Sequence, residues 1–146
     1  MATPERNAAT TRELIQRVMN GGEIAFAEDV ISESFVERNP MPGGTGDKAG
    51  AIAMFRMMRE LTPDMHIEVD DVIASGDKVA VRSTMIGTDT NGFMPGMAPT
   101  GKPFSMGAID VFTFDDAGKN VEHYGVYDTM GAMGQLGLLP PPPQQD

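Results

Sequence analysis

The chain has 146 residues, with 11 Lys and Arg against 21 Asp and Glu, a net charge of −10. One domain of this length buries a core without disulfide or metal staples, and so acidic a chain lacks the basic face that a nucleic-acid or anionic-membrane binder needs. The absence of Cys excludes disulfides, thiolate metal sites and Cys nucleophiles, and two histidines, His66 and His123, are too few for a multi-histidine metal centre.

No apolar run approaches the roughly 18 residues of a membrane span. The first 14 residues, MATPERNAATTREL, are polar and lack an apolar signal core, which points to a cytoplasmic protein. Thr3-Pro4-Glu5 then reads as a helix start: a hydroxyl cap, Pro in the first turn, and an acid near the positive end. Thr11, Leu14, Ile15 and Val18 follow at helical spacing, and Asn20-Gly21-Gly22 stops the run. The pattern predicts a second short helix over Glu23 to Ile31, a short strand over Ser34 to Arg38 ended by Asn39-Pro40, and a loop over Met41 to Gly46. Asp47 caps a predicted third helix, Lys48 to Leu61, whose apolar face is Ala51, Met54, Phe55, Met58 and Leu61.

After Thr62-Pro63-Asp64 the period changes from 3.6 to 2. Met65, Ile67, Val69 and Ile73 alternate with His66, Glu68 and Asp70, and Ser75-Gly76-Asp77 is a hairpin turn. Lys78 to Thr88 is a strand, apolar on both faces for part of its length. A connection rich in Gly, Pro and Met runs from Asp89 to Pro103. Strands follow over Phe104 to Phe114 and Lys119 to Asp128, then a helical turn over Thr129 to Gly137. Residues 1–139 read as one domain, and the Pro-rich stretch 140–146 as a polyproline-like tail that packs little. Three N-terminal helices followed by a long meander define an α+β fold, with a curved antiparallel sheet wrapped on the helices and a cavity between them.

Gly96-Met97-Ala98-Pro99-Thr100-Gly101-Lys102 has phosphate-loop spacing as far as the Lys, but Pro103 stands where the magnesium-binding hydroxyl belongs. A strand follows instead of a helix, so the context for phosphate binding is missing. Two carboxylates are better candidates. Asp110 shares a strand face with Phe104, Met106, Ala108, Phe112 and Phe114, and Asp128 shares one with Tyr124 and Val126. A carboxylate on an apolar sheet face loses hydration, which favours its protonated form and lets it trade protons near neutral pH. The bland alternatives are an acid paired with Arg82 or a strand end in water. Parity puts His123 on the face opposite Asp128, where a single His is more often a satisfied sheet or interface residue. Asn39 either caps a turn or points its amide into a pocket. Met85, Met94, Met97 and Met106 crowd the region of the long connection, and such side chains make adaptable walls for flat apolar ligands.

Taken in order, Val72-Ile73-Ala74-Ser75-Gly76-Asp77-Lys78-Val79-Ala80-Val81-Arg82, Gly87-Thr88, Pro99-Thr100-Gly101-Lys102 and Ile109-Asp110-Val111-Phe112 are followed by Gly118-Lys119-Asn120-Val121-Glu122-His123-Tyr124, Asp128 and Gln135-Leu136-Gly137. With Arg38-Asn39-Pro40, this pattern resembles the SnoaL-like polyketide cyclases from about residue 8 to 139. The resemblance implies the nuclear-transport-factor-2-like (cystatin-like) cone and cofactor-free acid–base chemistry in a deep apolar pocket. It implies an intramolecular aldol cyclisation of a polyketide-like ester or ketone, with Asp128 matching the family's acid–base aspartate. Asn39, Arg82, Asp110, Phe112, His123 and Tyr124 are then candidate substrate contacts, and no metal or other cofactor is implied. The family often has Trp where this chain has Tyr124, and His where it has Arg38. Limonene epoxide hydrolase is similar in fold, but Thr84 and Val126 stand where two of its three charged triad residues would be. Another proton-transfer enzyme of this fold (an isomerase, dehydratase or epoxide-opening enzyme on a steroid- or terpenoid-like substrate) is the alternative, with a non-catalytic binder of small molecules beside it. The expected partners are a small apolar organic substrate and a second copy of the chain, a homodimer or higher homo-oligomer to which Val79, Val81 and Met85 contribute, with neither nucleic acid nor membrane.

Overall fold

A computed structural model describes residues 2–144. α1 (Pro4–Glu13) starts where Thr3 Oγ1 accepts from Arg6 N, and runs directly into a π-helical segment, Leu14–Asn20. The wider π turn lets the adjacent Leu14 and Ile15, together with Val18, all face the core. Asn20 ends it by clasping the backbone of Ile67, donating from Nδ2 to the carbonyl and accepting at Oδ1 from the amide. α2 (Ile24–Val30) leads straight into β1 (Ile31–Glu37), which begins three residues earlier than the sequence pattern suggests. α3 (Lys48–Leu61) is capped by Asp47, whose Oδ1 accepts from Gly50 N.

The meander forms β2 (His66–Ser75), β3 (Lys78–Thr88), β4 (Pro103–Phe114) and β5 (Asn120–Tyr127), closed by α4 (Thr129–Gln135). The β2–β3 hairpin turns at Gly76, whose φ of 58° suits a residue without Cβ. The sheet is open, with strand order β1-β5-β4-β3-β2. It is mixed where a wholly antiparallel sheet was expected: β1 runs parallel to β5, pairing Glu37 with His123. Direction is set by long-range pairing, to which a seven-residue strand pattern is blind.

One sheet face carries Phe35, Val79, Val81, Phe112 and Phe114 and packs on the helices through Leu14, Val18 and Phe55. A second cluster, Met65, Met85, Phe104, Ala132 and Leu136, closes the other end, with Leu138 packed against it. Val79, Val81 and Met85 are therefore core residues and face no partner subunit. The outward face of β3 is Ala80, Arg82, Thr84 and Ile86; both faces of this strand read as apolar, so its sequence alone does not show which is inward. Residues 140–144 are exposed, and Gln145 and Asp146 of the expected tail lie outside the described residues. Among the described residues no helix is long and apolar enough to cross a membrane.

The connection from Asp89 to Lys102 folds back on itself around Asp89, which is fully buried. Asp89 Oδ2 accepts from both the amide and the hydroxyl of Thr100 at 2.8 Å, and backbone bonds join Asp89 to Gly101 and Lys102. Asn91 ties the same segment to the end of α3 through Leu61 O and Glu60 O. Asp89→Ala removes both Thr100 bonds and leaves part-buried donors unpaired beside the vacated carboxylate site. It is expected to lower stability by about 2–4 kcal/mol, measured by urea unfolding at constant m value; a loss under about 0.5 kcal/mol would contradict this account of the connection.

A carboxylate–imidazole–carboxylate cluster in an apolar cavity

Between the helices and the inner sheet face lies a cavity of about 330 Å³. Eight of the chain's 13 methionines line it, Met85, Met94 and Met106 among them, whereas Met97 does not. Phe93, from the 89–102 connection, closes one end and meets Phe104 edge-on at 5.4 Å. Polar side chains gather at the opposite end.

Strand register assembles that end. On β4, Ala108, Asp110 and Phe112 face inward, and their partners on β5 are Tyr127, Gly125 and His123. On β1, Glu37 stands beside His123. His123 Nε2 lies 2.8 Å from Asp110 Oδ1, and its Nδ1 lies 2.5 Å from Glu37 Oε2. The Phe112 ring leans on the imidazole, centroids 4.9 Å apart. Tyr127 donates its hydroxyl to the same Asp110 Oδ1 at 3.1 Å, which leaves Asp110 Oδ2 free of protein donors among the described residues. Gly125 makes room for this: a Cβ there would collide with the Tyr127 hydroxyl and come within 2.6 Å of Asp110 Oδ1. Asn39 projects over the same strand and donates from Nδ2 to Gly125 O at 2.7 Å.

Burial alone would push His123 toward its neutral form, but the hydrogen bonds and charges of Asp110 and Glu37 outweigh it and raise its pKa to about 9. Burial likewise opposes the charge on Glu37, and the His123 bond together with the Asn39 and Arg38 amides carries its pKa below the usual value. Burial and the neighbouring Asp110 charge push the Tyr127 phenol well up, so it is a proton donor across the working pH range. The side chains of Glu37, Asp110 and His123 are only 11–15% exposed, so this is one buried cluster opening onto an apolar space. Among the described residues no group of three His, Asp or Glu side chains is arranged to hold a metal ion.

Of the residues singled out in the sequence, Asn39, Asp110, Phe112 and His123 line this cavity. Arg82, Tyr124 and Asp128 do not. Arg82 lies on the outer sheet face, 3.7 Å from Asp70, in a shallow depression that also contains Asp128. Tyr124 is 47% exposed on that face. Asp128 is exposed and caps α4, its Oδ1 accepting from Gly131 N at 2.9 Å. Tyr124, Val126 and Asp128 do share a face, as parity requires, but it is the solvent side; His123 and Gly125 are buried, and Tyr127, 40% exposed at the end of β5, turns its hydroxyl to Asp110. Glu37 and Tyr127 were missed. Both carried a signal: Glu37 alternates with Phe35, and Tyr127 with His123, so each falls on the inner face once that face is known.

The sequence matches the SnoaL-like polyketide cyclase family over residues 9–136. The chain belongs to that family, and its fold is the nuclear-transport-factor-2-like one. It is similar in structure to TsrD from Streptomyces laurentii, with a TM-score of 0.83 and 24% identity, covering 95% of this chain and 100% of that one. It is also similar to IdmH, a proposed polyketide cyclase from Streptomyces antibioticus (0.78, 29%, 90% and 98%). AclR, a proposed hydroxylase from Streptomyces galilaeus, is comparable (0.79, 25%, 97% and 91%). No curated protein matches the sequence.

The raised His123 pKa links the cluster to stability. The folded chain holds this proton more tightly than the unfolded one, so the contribution is full below pH 6.5 and disappears as pH rises through about 9. Glu37 acts in the opposite sense, its contribution being lost as pH falls below 4.5. Unfolding free energy is expected to fall by about 3 kcal/mol between pH 6.5 and 9.5, a slope absent from His123→Gln. A flat profile for the unsubstituted protein in chemical denaturation would contradict a charged His123.

Proposed function

We propose that this chain is a cofactor-free polyketide cyclase in which Asp110 is the acid–base group. The observation that carries the reading is the Asp110 carboxylate, held between His123 and Tyr127 at the polar end of a cavity that is otherwise apolar. Asp110 Oδ2 takes an acidic α-proton from a polyketide-like ester or ketone; the C–H electron pair becomes the enolate. The enolate attacks a carbonyl of the same molecule, and the proton on Asp110 passes to the new alkoxide. Holding both reacting ends of one flexible substrate together supplies much of the acceleration, and acid–base transfer adds typically about 10²–10⁴-fold. Asn39 and Tyr127 supply donors at the same end. The family to which the chain belongs, and the description of IdmH as a proposed polyketide cyclase, support the reaction class, while AclR is a reminder that one fold serves several chemistries. The assignment moves the acid–base role from Asp128, whose carboxylate is committed to the α4 cap outside the cavity.

Exchange of the α-protons of 2-tetralone in D2O, followed by NMR, tests this. Asp110→Asn is expected to slow exchange by at least about 100-fold with the fold intact, and Asp128→Asn to change it by less than about threefold. The reverse pattern would return the role to Asp128. Exchange without ring closure on any tethered diketone would favour the isomerase alternative.

We further propose a homodimer through the outer sheet face. Ile109 pairs across the sheet with Val126, and Val111 with Tyr124; Ile109, Val126 and Tyr124 are each 46–50% exposed there. An apolar face left by helix packing on the other side suits a two-fold contact between copies. Ile109→Asp is expected to halve the mass measured by light scattering, and a wild-type monomer would contradict the proposal.

A further inference from the structure

His123 is bonded on both sides, and only one of its two carboxylates belongs to the proposed reaction. Glu37 is the other. Its Oε2 meets Nδ1 at 2.5 Å, its side chain is 13% exposed, and the Asn39 amide donates to its Oε1 at 2.9 Å. The backbone adds a further tie: Arg38 N donates to His123 O at 2.9 Å, fixing the end of β1 against β5.

The physical question is where the proton sits. A lone carboxylate–imidazole pair in apolar surroundings can shed both charges by moving the shared proton onto the carboxylate. Such a pair would leave a carboxylic acid where the proposed reaction needs a base. A second carboxylate on the far nitrogen opposes that transfer, because the imidazole then answers to two anions. It also fixes the ring: both nitrogens donate outward along the line from Glu37 to Asp110, so the ring cannot turn to offer a proton to the substrate. We propose that Glu37 is a positioning residue that acts through His123, keeping the imidazole doubly protonated and aimed at Asp110 so that Asp110 meets the substrate as a carboxylate.

The groups facing His123 are few: Glu37 from β1, Asp110 and the Phe112 ring from β4, and Tyr127 from its own strand. Arg38, next to Glu37 in the chain, is turned aside to Glu122, with Nη2 2.7 Å from Oε2. Among the described residues Glu37 and Asp110 are the two carboxylates bonded to the ring, so removal of Glu37 has a specific signature that a packing defect lacks.

This inference rests on the acid–base reading above, and the experiment separates the two. The full chain, labelled with 15N-histidine, gives two imidazoles, and His66 is exposed, so the buried ring is assigned by His123→Gln. In Glu37→Gln the His123 titration midpoint is expected to fall by about one unit or more from the wild-type value near 9. Deuterium exchange into 2-tetralone is expected to lose at least about tenfold in kcat, with KM within about twofold and the alkaline limb of the rate profile shifted down with the midpoint. Glu37→Asp is expected to recover part of both. An unchanged midpoint in Glu37→Gln overturns the inference whatever the activity. So does a lowered midpoint with unchanged kcat, which leaves Glu37 as a structural anion. Wild-type protein that exchanges no faster than buffer overturns the acid–base reading and the positioning role with it, while the midpoint alone then reports the electrostatic coupling.

Discussion

A carboxylate can remain charged inside an apolar cavity only if an opposite charge stands beside it and its lone pairs are met. In this protein that condition is satisfied by one imidazolium bonded to Asp110 on one side and to Glu37 on the other. The cluster sets one imidazole between two carboxylates, screened from bulk water by the sheet and by Phe112. The rest of the architecture can be read as what brings these three side chains together. They come from the first, fourth and last strands, and no two of them are neighbours in sequence.

The parallel pairing of β1 with β5 is the decisive topological step, since it sets Glu37 opposite His123. The absence of a side chain at Gly125 then lets Asp110 and Tyr127 meet across the β4–β5 pair. On the helical side, the π turn at Leu14–Asn20 and the methionines of α3 build a wall that is greasy and deformable. Phe93 and Met94 complete it from the connection anchored by Asp89. The ionisable groups of the cavity, Glu37, Asp110, His123 and Tyr127, are thus gathered together, so a ligand is oriented by where its carbonyl meets them.

Much of this was legible in the chain before folding. Caps at Thr3 and Asp47, the change of period after Leu61 and the hairpin at Gly76 locate nearly every element, because each is governed by local sterics and burial. The family pattern covers the same stretch. The site was harder to place. Strand parity sorted Tyr124, Val126 and Asp128 from His123 correctly, yet it does not say which set faces inward. Aromatic and β-branched residues marked the wrong side, since the outer face of this sheet is itself apolar. Asp128 looked catalytic for its company and its place in the family pattern, whereas locally it is an ordinary helix cap. Glu37 was overlooked because its importance arises from a contact with a residue 86 positions away.

The central claim is that chemistry belongs to the Asp110 end of the cavity. A crystal structure of the protein with 2-naphthol, a stable mimic of the enol of a bicyclic ketone, addresses it directly. The account predicts the two rings among the cavity methionines and the hydroxyl within hydrogen-bond reach of Asp110. Naphthol seated in the outer depression beside Asp128, with the cavity left empty, would contradict it.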